Sequence, residues 1–240
     1  MPVPRPHPMR SLFILSLSAL AFALAQTTLI PALTELARSL HTDASGVAWT
    51  ITGYLLAAAV CTPIFGRLGD MFGKRRLLVI ALGLFAAGSV VSALGTGLEV
   101  VVIGRVLQGA GGGIFPLCFG IIRDEFPRER VAKSIGLLSA IAGVGGGAGL
   151  LIGGLLADHV SYHWIFWLGA ISAALAAIFI ELFVPESPVR TPGRVDVRGA
   201  LVLAVGLAAP LLAISRANEC GWLDGRTLGL FGFGLVVLAG

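Results

Sequence analysis

The sequence has 240 residues, of which 56% are hydrophobic and 12% are charged, and its mean hydropathy is +0.92. Soluble domains carry about 25% charged residues, so this composition excludes an ordinary soluble globular domain. Apolar runs of about 20 residues, long enough to cross a bilayer as helices, recur along the chain. They indicate a helical membrane protein rather than an outer-membrane barrel, whose strands would alternate in polarity.

We predict membrane spans at residues 11–33, 47–66, 77–96, 98–121, 131–156, 163–184 and 197–217, and an eighth that begins near residue 227. The eighth span is still apolar at Gly240, so we expect the natural chain to continue. The stretch from Met9 to Gln26 also has the basic lead and apolar core of a signal peptide. We interpret it as a first span that acts as its own insertion signal, because its apolar stretch runs on toward Pro31.

Basic residues set the orientation, because they accumulate in cytoplasmic segments. With the amino terminus in the cytoplasm, the inner segments hold Arg5, Arg10, Arg67, Lys74, Arg75, Arg76, Arg123, Arg128, Arg130, Lys133, Arg190, Arg194 and Arg198. The outer segments hold Arg38, Arg216 and Arg226. We therefore predict a multi-pass protein of the inner cell membrane with a cytoplasmic amino terminus. The net charge of +4 reflects this topology, and no nucleic-acid partner is expected.

The proline-rich segment from Pro185 to Gly199 separates six spans from the two that follow. We divide the chain into an amino-terminal six-helix bundle (residues 1–184), a cytoplasmic linker (185–197) and additional helices 7 and 8 (198–240), the last incomplete. A short echo, GRLGD at Gly66–Asp70 and GLLAD at Gly154–Asp158, follows the second and the fifth span. It predicts two three-helix repeats of opposite topology within the bundle.

A dense charged turn, GRLGDMFGKRR from Gly66 to Arg76, connects spans 2 and 3. Gly66 and Gly69 allow close approach of helix ends. Asp70 can cap or pair near the start of span 3, and Gly73 can take the positive φ of a sharp turn. The basic residues that end the turn are Lys74, Arg75 and Arg76.

This turn resembles the signature G-x-L-x-D-x-x-G-(R/K)-(R/K) of the major facilitator superfamily. The resemblance implies an all-α membrane protein with a six-helix bundle, two further transmembrane helices and a missing carboxy-terminal bundle. It also implies a cytoplasmic gate of alternating charge contacts formed by Gly66, Asp70, Gly73, Lys74, Arg75 and Arg76. The alternative is a loop that only sets topology, which would not require the glycines or Asp70.

Span 4 contains IGRVLQGAGGG, in which Arg105 lies at membrane depth, where a charge is costly. The string resembles the family motif R-x-x-Q-G-x-G, which implies a role in transport or proton coupling for Arg105, Gln108 and Gly109. We expect Gln26 and Thr27 of span 1, with Thr28, to lie at similar depth and to solvate Arg105. The alternative is an arginine that snorkels to the outer surface.

Span 5 contains GVGGGAGLLIGG, in which glycines spaced by four share one helical face. The string resembles the family's antiporter motif G-x-x-x-G-P-x-x-G-G, with Leu150 in place of the proline. The matching positions are Gly145, Gly149, Gly153 and Gly154. The alternative is ordinary close packing of helices through small residues.

SYHWIFW at Ser161–Trp167 and the extra spans resemble the fourteen-helix drug:proton antiporter branch. That branch carries an acidic residue in span 1, where this sequence has Ala25. Glu35 and Glu181 lie near span ends and are interpreted as solvated carboxylates. The coupling carboxylate is therefore expected in the missing half, or transport is not coupled to protons.

The resemblance implies a secondary transporter that works by alternating access and exports drugs or other small organic compounds in exchange for protons. The expected partners are a small organic substrate, protons, the lipid bilayer and the missing carboxy-terminal half. The alternatives are a half-transporter that needs a partner and a facilitator without proton coupling. An ATP-driven pump is not expected, since there is no GxxxxGK[ST] loop. We also expect no enzyme, cofactor or metal site, because no cluster of His, Cys or acidic residues lies at membrane depth. His159 and His163 are four residues apart, but we interpret them as loop histidines without a third ligand. The cysteines Cys61, Cys118 and Cys220 lack metal-ligand spacing.

Overall fold

The computed structural model describes residues 8–187 and 197–239, and within these ranges the regular secondary structure is entirely helical. The helices are α1 (Pro8–Thr27), α2 (Leu33–Ser39), α3 (Ala44–Phe72), α4 (Lys74–Leu94), α5 (Leu98–Ala110), α6 (Ile114–Glu125), α7 (Arg128–His159), α8 (Tyr162–Phe183), α9 (Val197–Cys220) and α10 (Gly225–Ala239). Short connections join most of these helices, so that consecutive long helices run antiparallel. The all-α architecture predicted from the sequence is confirmed.

Six segments in the described residues are long and apolar enough to cross a membrane. They are α1, α3, α4, the α5–α6 pair, α7 and α8. Helices α9 and α10 contain shorter apolar segments, Val205–Ile214 and Gly225–Leu238. The six-span bundle agrees with the prediction, whereas membrane crossing by α9 and α10 stays a prediction.

Two predicted spans differ in detail from the helices. Span 1 ends as an α-helix at Thr27, and the chain turns before α2 begins at Leu33. Pro31 lies in this turn and has no backbone N–H to continue a helix. Span 4 is interrupted at Gly111–Gly113, where Gly111 and Gly112 donate to carbonyls three residues earlier. Glycine adopts such a tightened turn at little conformational cost. The apolar run by itself predicts a continuous helix here.

The long helices pack in pairs that support the predicted internal repeat. Counted as spans, 1 packs on 5 (α1 on α7), 2 on 4 (α3 on α5) and 3 on 6 (α4 on α8). Exchanging spans 1–3 with spans 4–6 turns the first pair into the second and leaves the third unchanged. The contacts α1–α8 and α4–α5 also exchange with each other. This two-fold pattern is the one expected of two three-helix repeats.

The core of the bundle is apolar and tightly packed. Phe85 of α4 is 1% exposed, and its ring meets Phe22 of α1 edge-to-face at 5.0 Å between centroids. Many large apolar side chains instead point outward, including Leu151 (74% exposed) and Leu155 (62% exposed) of α7. An outer surface of this kind suits hydrocarbon, because lipid solvates leucine as well as a protein core does.

The predicted linker is only partly within the described residues. After α8 the chain is described to Ser187, and α9 begins at Val197, so residues 188–196 lie outside the described ranges. The division into bundle, linker and additional helices stays a prediction.

Candidate functional site

A charged cluster lies where α3 ends and α4 begins, and Lys74 is at its centre. The Lys74 Nζ is 3.0 Å from the Asp70 Oδ1 and 2.7 Å from the Asp124 Oδ2. Asp70 precedes Lys74 by one helical turn, whereas Asp124 lies in the last turn of α6. The Ser187 hydroxyl also donates a hydrogen bond to the Asp124 carboxylate. One cation thus joins two helix ends to the segment after α8.

Glu186 caps the amino end of α4. Its Oε1 accepts from the Arg75 N–H at 3.0 Å, and its Oε2 accepts from the Arg76 N–H at 3.2 Å. The residue in the N-cap position is Gly73, which has no side chain to do this work. A carboxylate there also meets the positive end of the helix dipole. The cap therefore comes from a residue more than one hundred positions away in the sequence.

Gly73 makes this arrangement possible in two ways. Its φ is +115°, a backbone conformation that residues with a side chain rarely adopt. A Cβ built on Gly73 would lie 2.6 Å from the Glu186 Cδ. The positive φ predicted for this glycine is present, and the space beside it holds the capping carboxylate.

Arg75 and Arg76 extend the cluster toward α8. The Arg75 Nη2 is 3.2 Å from the Glu181 Oε1, and its Nη1 donates to the Val184 carbonyl at 3.3 Å. The Arg76 Nε is 3.9 Å from the Glu186 Oε2. The side chains of Glu181 and Arg76 are more than half exposed, so these two ion pairs contribute little stability by themselves. They fix where α4 meets α8.

The predicted gate residues therefore fall into two groups. Asp70, Gly73, Lys74, Arg75 and Arg76 take part in the charged cluster, and Asp70 pairs with Lys74 and does not cap α4. Gly66 does not take part, since a Cβ built on it would meet nothing within 4 Å among the described residues. The expected close approach occurs at Gly69, which faces the Leu117 side chain.

The sequence analysis did not identify the partners that other segments contribute to the cluster. These partners are the carboxylates of Asp124, Glu181 and Glu186 and the hydroxyl group of Ser187. A signal existed for two of them, because Glu186 and Ser187 follow the sixth span directly in the string VPES. No local spacing links that string to Gly73.

Arg105 lies in a second polar group, buried between α3, α4 and α5. Its Nε donates to the Thr50 carbonyl at 3.0 Å, and its Nη1 donates to the Gln108 Oε1 at 2.6 Å. Gln108 in turn donates from Nε2 to the Ser89 hydroxyl at 2.6 Å. The guanidinium carbon lies 4.4 Å from the centre of the Tyr54 ring, a cation–π contact.

These contacts correct the expected surroundings of Arg105. Among the described residues its hydrogen bonds go to α3 and to its own helix, not to Gln26, Thr27 or Thr28 of α1. The Thr27 hydroxyl instead donates to the Gly146 carbonyl of α7 at 2.8 Å. Equal depth along two helix axes does not fix which face each helix turns toward the other. Arg105 is also 3% exposed, which argues against snorkelling to the surface.

Ala25 lies close to the same polar group. A Cβ built on Gly169 of α8 would be 3.5 Å from the Ala25 Cβ and 3.2 Å from the Ser89 Oγ. Ala25 is 6% exposed and offers no charge there. No carboxylate in the described part of the chain forms an ion pair with Arg105.

The glycine face of α7 packs on the backbone of α1. A Cβ built on Gly145 would lie 2.5 Å from the Leu20 carbonyl oxygen, and one on Gly149 would lie 2.5 Å from the Leu24 carbonyl oxygen. Gly153 approaches the Thr28 carbonyl in the same way. Gly154 belongs to another face, where a Cβ would meet nothing within 4 Å in the described structure. Three of the four motif glycines thus form one helix contact.

No group of three or more metal-binding side chains occurs in the described residues. An apolar groove of about 560 Å³ lies between α3 and α9. Its lining residues are Leu55, Ala58, Ala59, Thr62, Pro63, Leu203, Leu207 and Leu211. It contains no charged side chain and is separate from both polar groups.

Comparison with known proteins gives a consistent family match. Residues 15–239 match the sequence model described as Major Facilitator Superfamily. The Tetracenomycin C resistance and export protein of Streptomyces glaucescens is 31% identical over 98% of this chain and 44% of its own length. Multidrug resistance protein 3 of Bacillus subtilis (strain 168) is 32% identical over 77% of this chain and 36% of its own length. The chain thus spans less than half the length of these curated relatives.

Solved structures agree on the fold. A crystal structure of the peptide transporter POT in complex with sulfate superposes with a TM-score of 0.72 over 96% of this chain and 51% of its own. The sequences are 17% identical, so the likeness concerns the fold alone.

Proposed function

The chain belongs to the Major Facilitator Superfamily, and we propose on that basis that it is part of a secondary transporter that works by alternating access. Transport of this kind moves a substrate past a site that opens to one side of the membrane at a time. The proposed location is the inner cell membrane, with the amino terminus in the cytoplasm, in keeping with the distribution of basic residues. Alternating access of this kind also requires a second bundle that rocks against this one.

The observation that carries the proposal is the charged cluster around Lys74. Ion pairs and hydrogen bonds of its side chains join the ends of α3, α4 and α6 to the segment after α8. Charge contacts of this kind have discrete made and broken states, as a gate requires. The cluster gives the bundle a defined arrangement at its proposed cytoplasmic end.

We further propose that the cargo consists of drugs or other small organic compounds and that export is exchanged for protons. Two relatives support this proposal: the name of one describes resistance to and export of tetracenomycin C, and the name of the other describes multidrug resistance. The coupling carboxylate is proposed to lie outside the described residues, since no described carboxylate forms an ion pair with Arg105 and span 1 has Ala25 where an acidic residue was expected.

The test is efflux from cells that express the natural gene at its full length. Asp70→Asn removes one carboxylate of the cluster while Asp124 still holds Lys74. Export is expected to fall at least tenfold while the protein still inserts, as measured by membrane fractionation. Glu129→Gln is the matched control, because Glu129 is exposed in the first turn of α7 and forms no ion pair among the described residues. Normal efflux by Asp70→Asn would contradict the gate.

Proton exchange has a separate test in reconstituted vesicles. If export is exchanged for protons, collapse of the pH gradient by nigericin is expected to stop accumulation against a concentration gradient. A facilitator without proton coupling would equilibrate the same compound at an unchanged rate. The second result would retain the transporter and remove the antiport.

A further inference from the structure

We propose that Arg105 binds the anionic group of the transported compound, so that organic acids are the preferred cargo. This inference rests on the proposed transport function and names the substrate class of its site. It starts from a charge that the described chain buries and does not neutralise.

Among the described residues, the buried cations Lys74 and Arg105 differ in whether a carboxylate neutralises their charge. Lys74 is 8% exposed and has two carboxylates within 3.0 Å of its Nζ. Arg105 is 3% exposed, and no described carboxylate pairs with it. A buried charge without a counter-charge is costly at membrane depth, and it is kept in such a place where it has a use.

The groups around Arg105 hold it in place without cancelling its charge. Its partners are a backbone carbonyl of Thr50, the amide oxygen of Gln108 and the face of the Tyr54 ring. All three are neutral groups that stabilise a cation as dipoles or as a quadrupole. Gln108 is itself fixed by the Ser89 hydroxyl, which orients its amide oxygen toward the guanidinium. No counter-charge among the described residues therefore cancels the positive charge of Arg105.

The geometry also leaves donors free on one edge of the guanidinium. The recorded hydrogen bonds use Nε and one N–H of Nη1. Nη2 makes no hydrogen bond to a described residue. It is also not one of the fully buried side-chain nitrogen and oxygen atoms that have no hydrogen-bond partner. The Nη1–Nη2 edge can thus donate two parallel hydrogen bonds, which is the geometry that a carboxylate accepts.

The experiment measures transport into inside-out vesicles from cells that express the natural gene. The probes are matched pairs, salicylate with salicylamide and 1-naphthoate with 1-naphthamide, together with the cation ethidium. Each acid and its amide have nearly the same size, so their difference reports the charge. Wild type is expected to take up each acid at least tenfold better than its amide, because hydrogen bonds to charged groups are the stronger ones.

Arg105→Gln removes the charge and is expected to bring the acid and the amide to within about twofold of each other. Arg105→Lys keeps the charge and is expected to restore part of the preference. This cycle between residue and substrate isolates their interaction from any general loss of activity. Arg38→Gln is the control, since Arg38 has a 76% exposed side chain at the opposite end of the bundle from Lys74.

Each outcome has a defined meaning. Equal uptake of acids and amides by wild type, or a preference for ethidium, would overturn the proposal and leave transport intact. A preference for acids that survives in Arg105→Gln would overturn the assignment to Arg105. Absence of uptake for every probe, together with no efflux by the wild-type protein in the experiment that tests Asp70→Asn, would contradict the proposed transport function and this inference with it.

Discussion

Gly73 and Gly66 belong to the same charged turn, but a side chain is excluded only at Gly73. Gly73→Ala forces a residue with a Cβ into a φ of +115° and places that Cβ against Glu186. The expected cost is about 2 kcal/mol, a typical strain at such a position. It should lower the melting temperature of the purified protein by about 4–8 °C.

Gly66→Ala is the matched change within α3, where a Cβ would meet nothing within 4 Å of the described chain. Alanine is the better helix former by about 1 kcal/mol, so the melting temperature should stay level or rise slightly. Equal destabilisation by the two alanine variants would contradict the structural difference between these glycines.

Asp70 and Asp124 share Lys74, and their burial separates their contributions to stability. The Asp124 side chain is 9% exposed and the Asp70 side chain is 44% exposed. Asp124→Asn is expected to cost about 2 kcal/mol, since it weakens a charged hydrogen bond away from water. Asp70→Asn is expected to cost under about 1 kcal/mol because solvent screens the exposed pair. Thermal unfolding of both variants measures the order, and a larger loss for Asp70→Asn would reverse the interpretation.

For single residues, the sequence predicted those features that depend only on neighbouring positions in the chain. The pairing of Asp70 with Lys74 follows from their spacing of one helical turn, and the positive φ of Gly73 follows from its place in a charged turn. The contacts of Asp124 and Glu186 could not be predicted, because they depend on how α6 and the segment after α8 meet α4. No residue spacing encodes that meeting.

Helices α1 and α7 approach closely because glycines on α7 leave room for the backbone of α1. Gly149→Ala would place a Cβ 2.5 Å from the Leu24 carbonyl oxygen, and backbone cannot move aside as a flexible side chain can. We expect α1 and α7 to separate at a cost of about 1–3 kcal/mol, as in other overpacked contacts. Thermal unfolding in detergent measures this loss.

Gly154→Ala is the control for this contact, since it lies on the same helix in open space among the described residues. Its melting temperature should equal that of wild type or rise slightly, because alanine is the better helix former. If Gly149→Ala were as stable as Gly154→Ala, the packing of α7 on α1 would be wrong.

Element boundaries were predicted from apolar runs, and they fail where glycine or proline interrupts a run without changing its hydropathy. The interruption at Gly111–Gly113 and the turn through Pro31 are both of this kind. The face that a helix turns inward is equally hidden in a span that is apolar all round. For this reason the partners expected for Arg105 on α1 differ from its hydrogen-bond partners in the structure, although Arg105 itself is recognisable as a charge at membrane depth.

For the whole molecule, the six-helix bundle was predictable because bilayer thickness fixes span length and connection length forces antiparallel neighbours. The repeat was weaker in sequence than it is in packing. In the sequence only five residues, Gly66–Asp70, resemble their counterparts in the second repeat, Gly154–Asp158. In the structure, the helix contacts keep the same pattern when spans 1–3 are exchanged with spans 4–6. The packing of helices can preserve a repeat after most side chains have diverged, because it depends on the positions of the helix axes and on small residues at the contacts.

The orientation of the bundle in the membrane is the last prediction, and it depends on basic residues. Cysteines are introduced at Glu129, in the first turn of α7, and at Thr96, in the connection before α5, so that they lie at opposite ends of the bundle. In a background without Cys61, Cys118 and Cys220, a membrane-impermeant maleimide should label Thr96→Cys in intact cells. Glu129→Cys should be labelled only after the cells are permeabilised, because Arg128, Arg130 and Lys133 hold that end in the cytoplasm. The reverse labelling pattern would put the charged cluster outside the cell, where Lys74 and its carboxylates could not close a cytoplasmic gate.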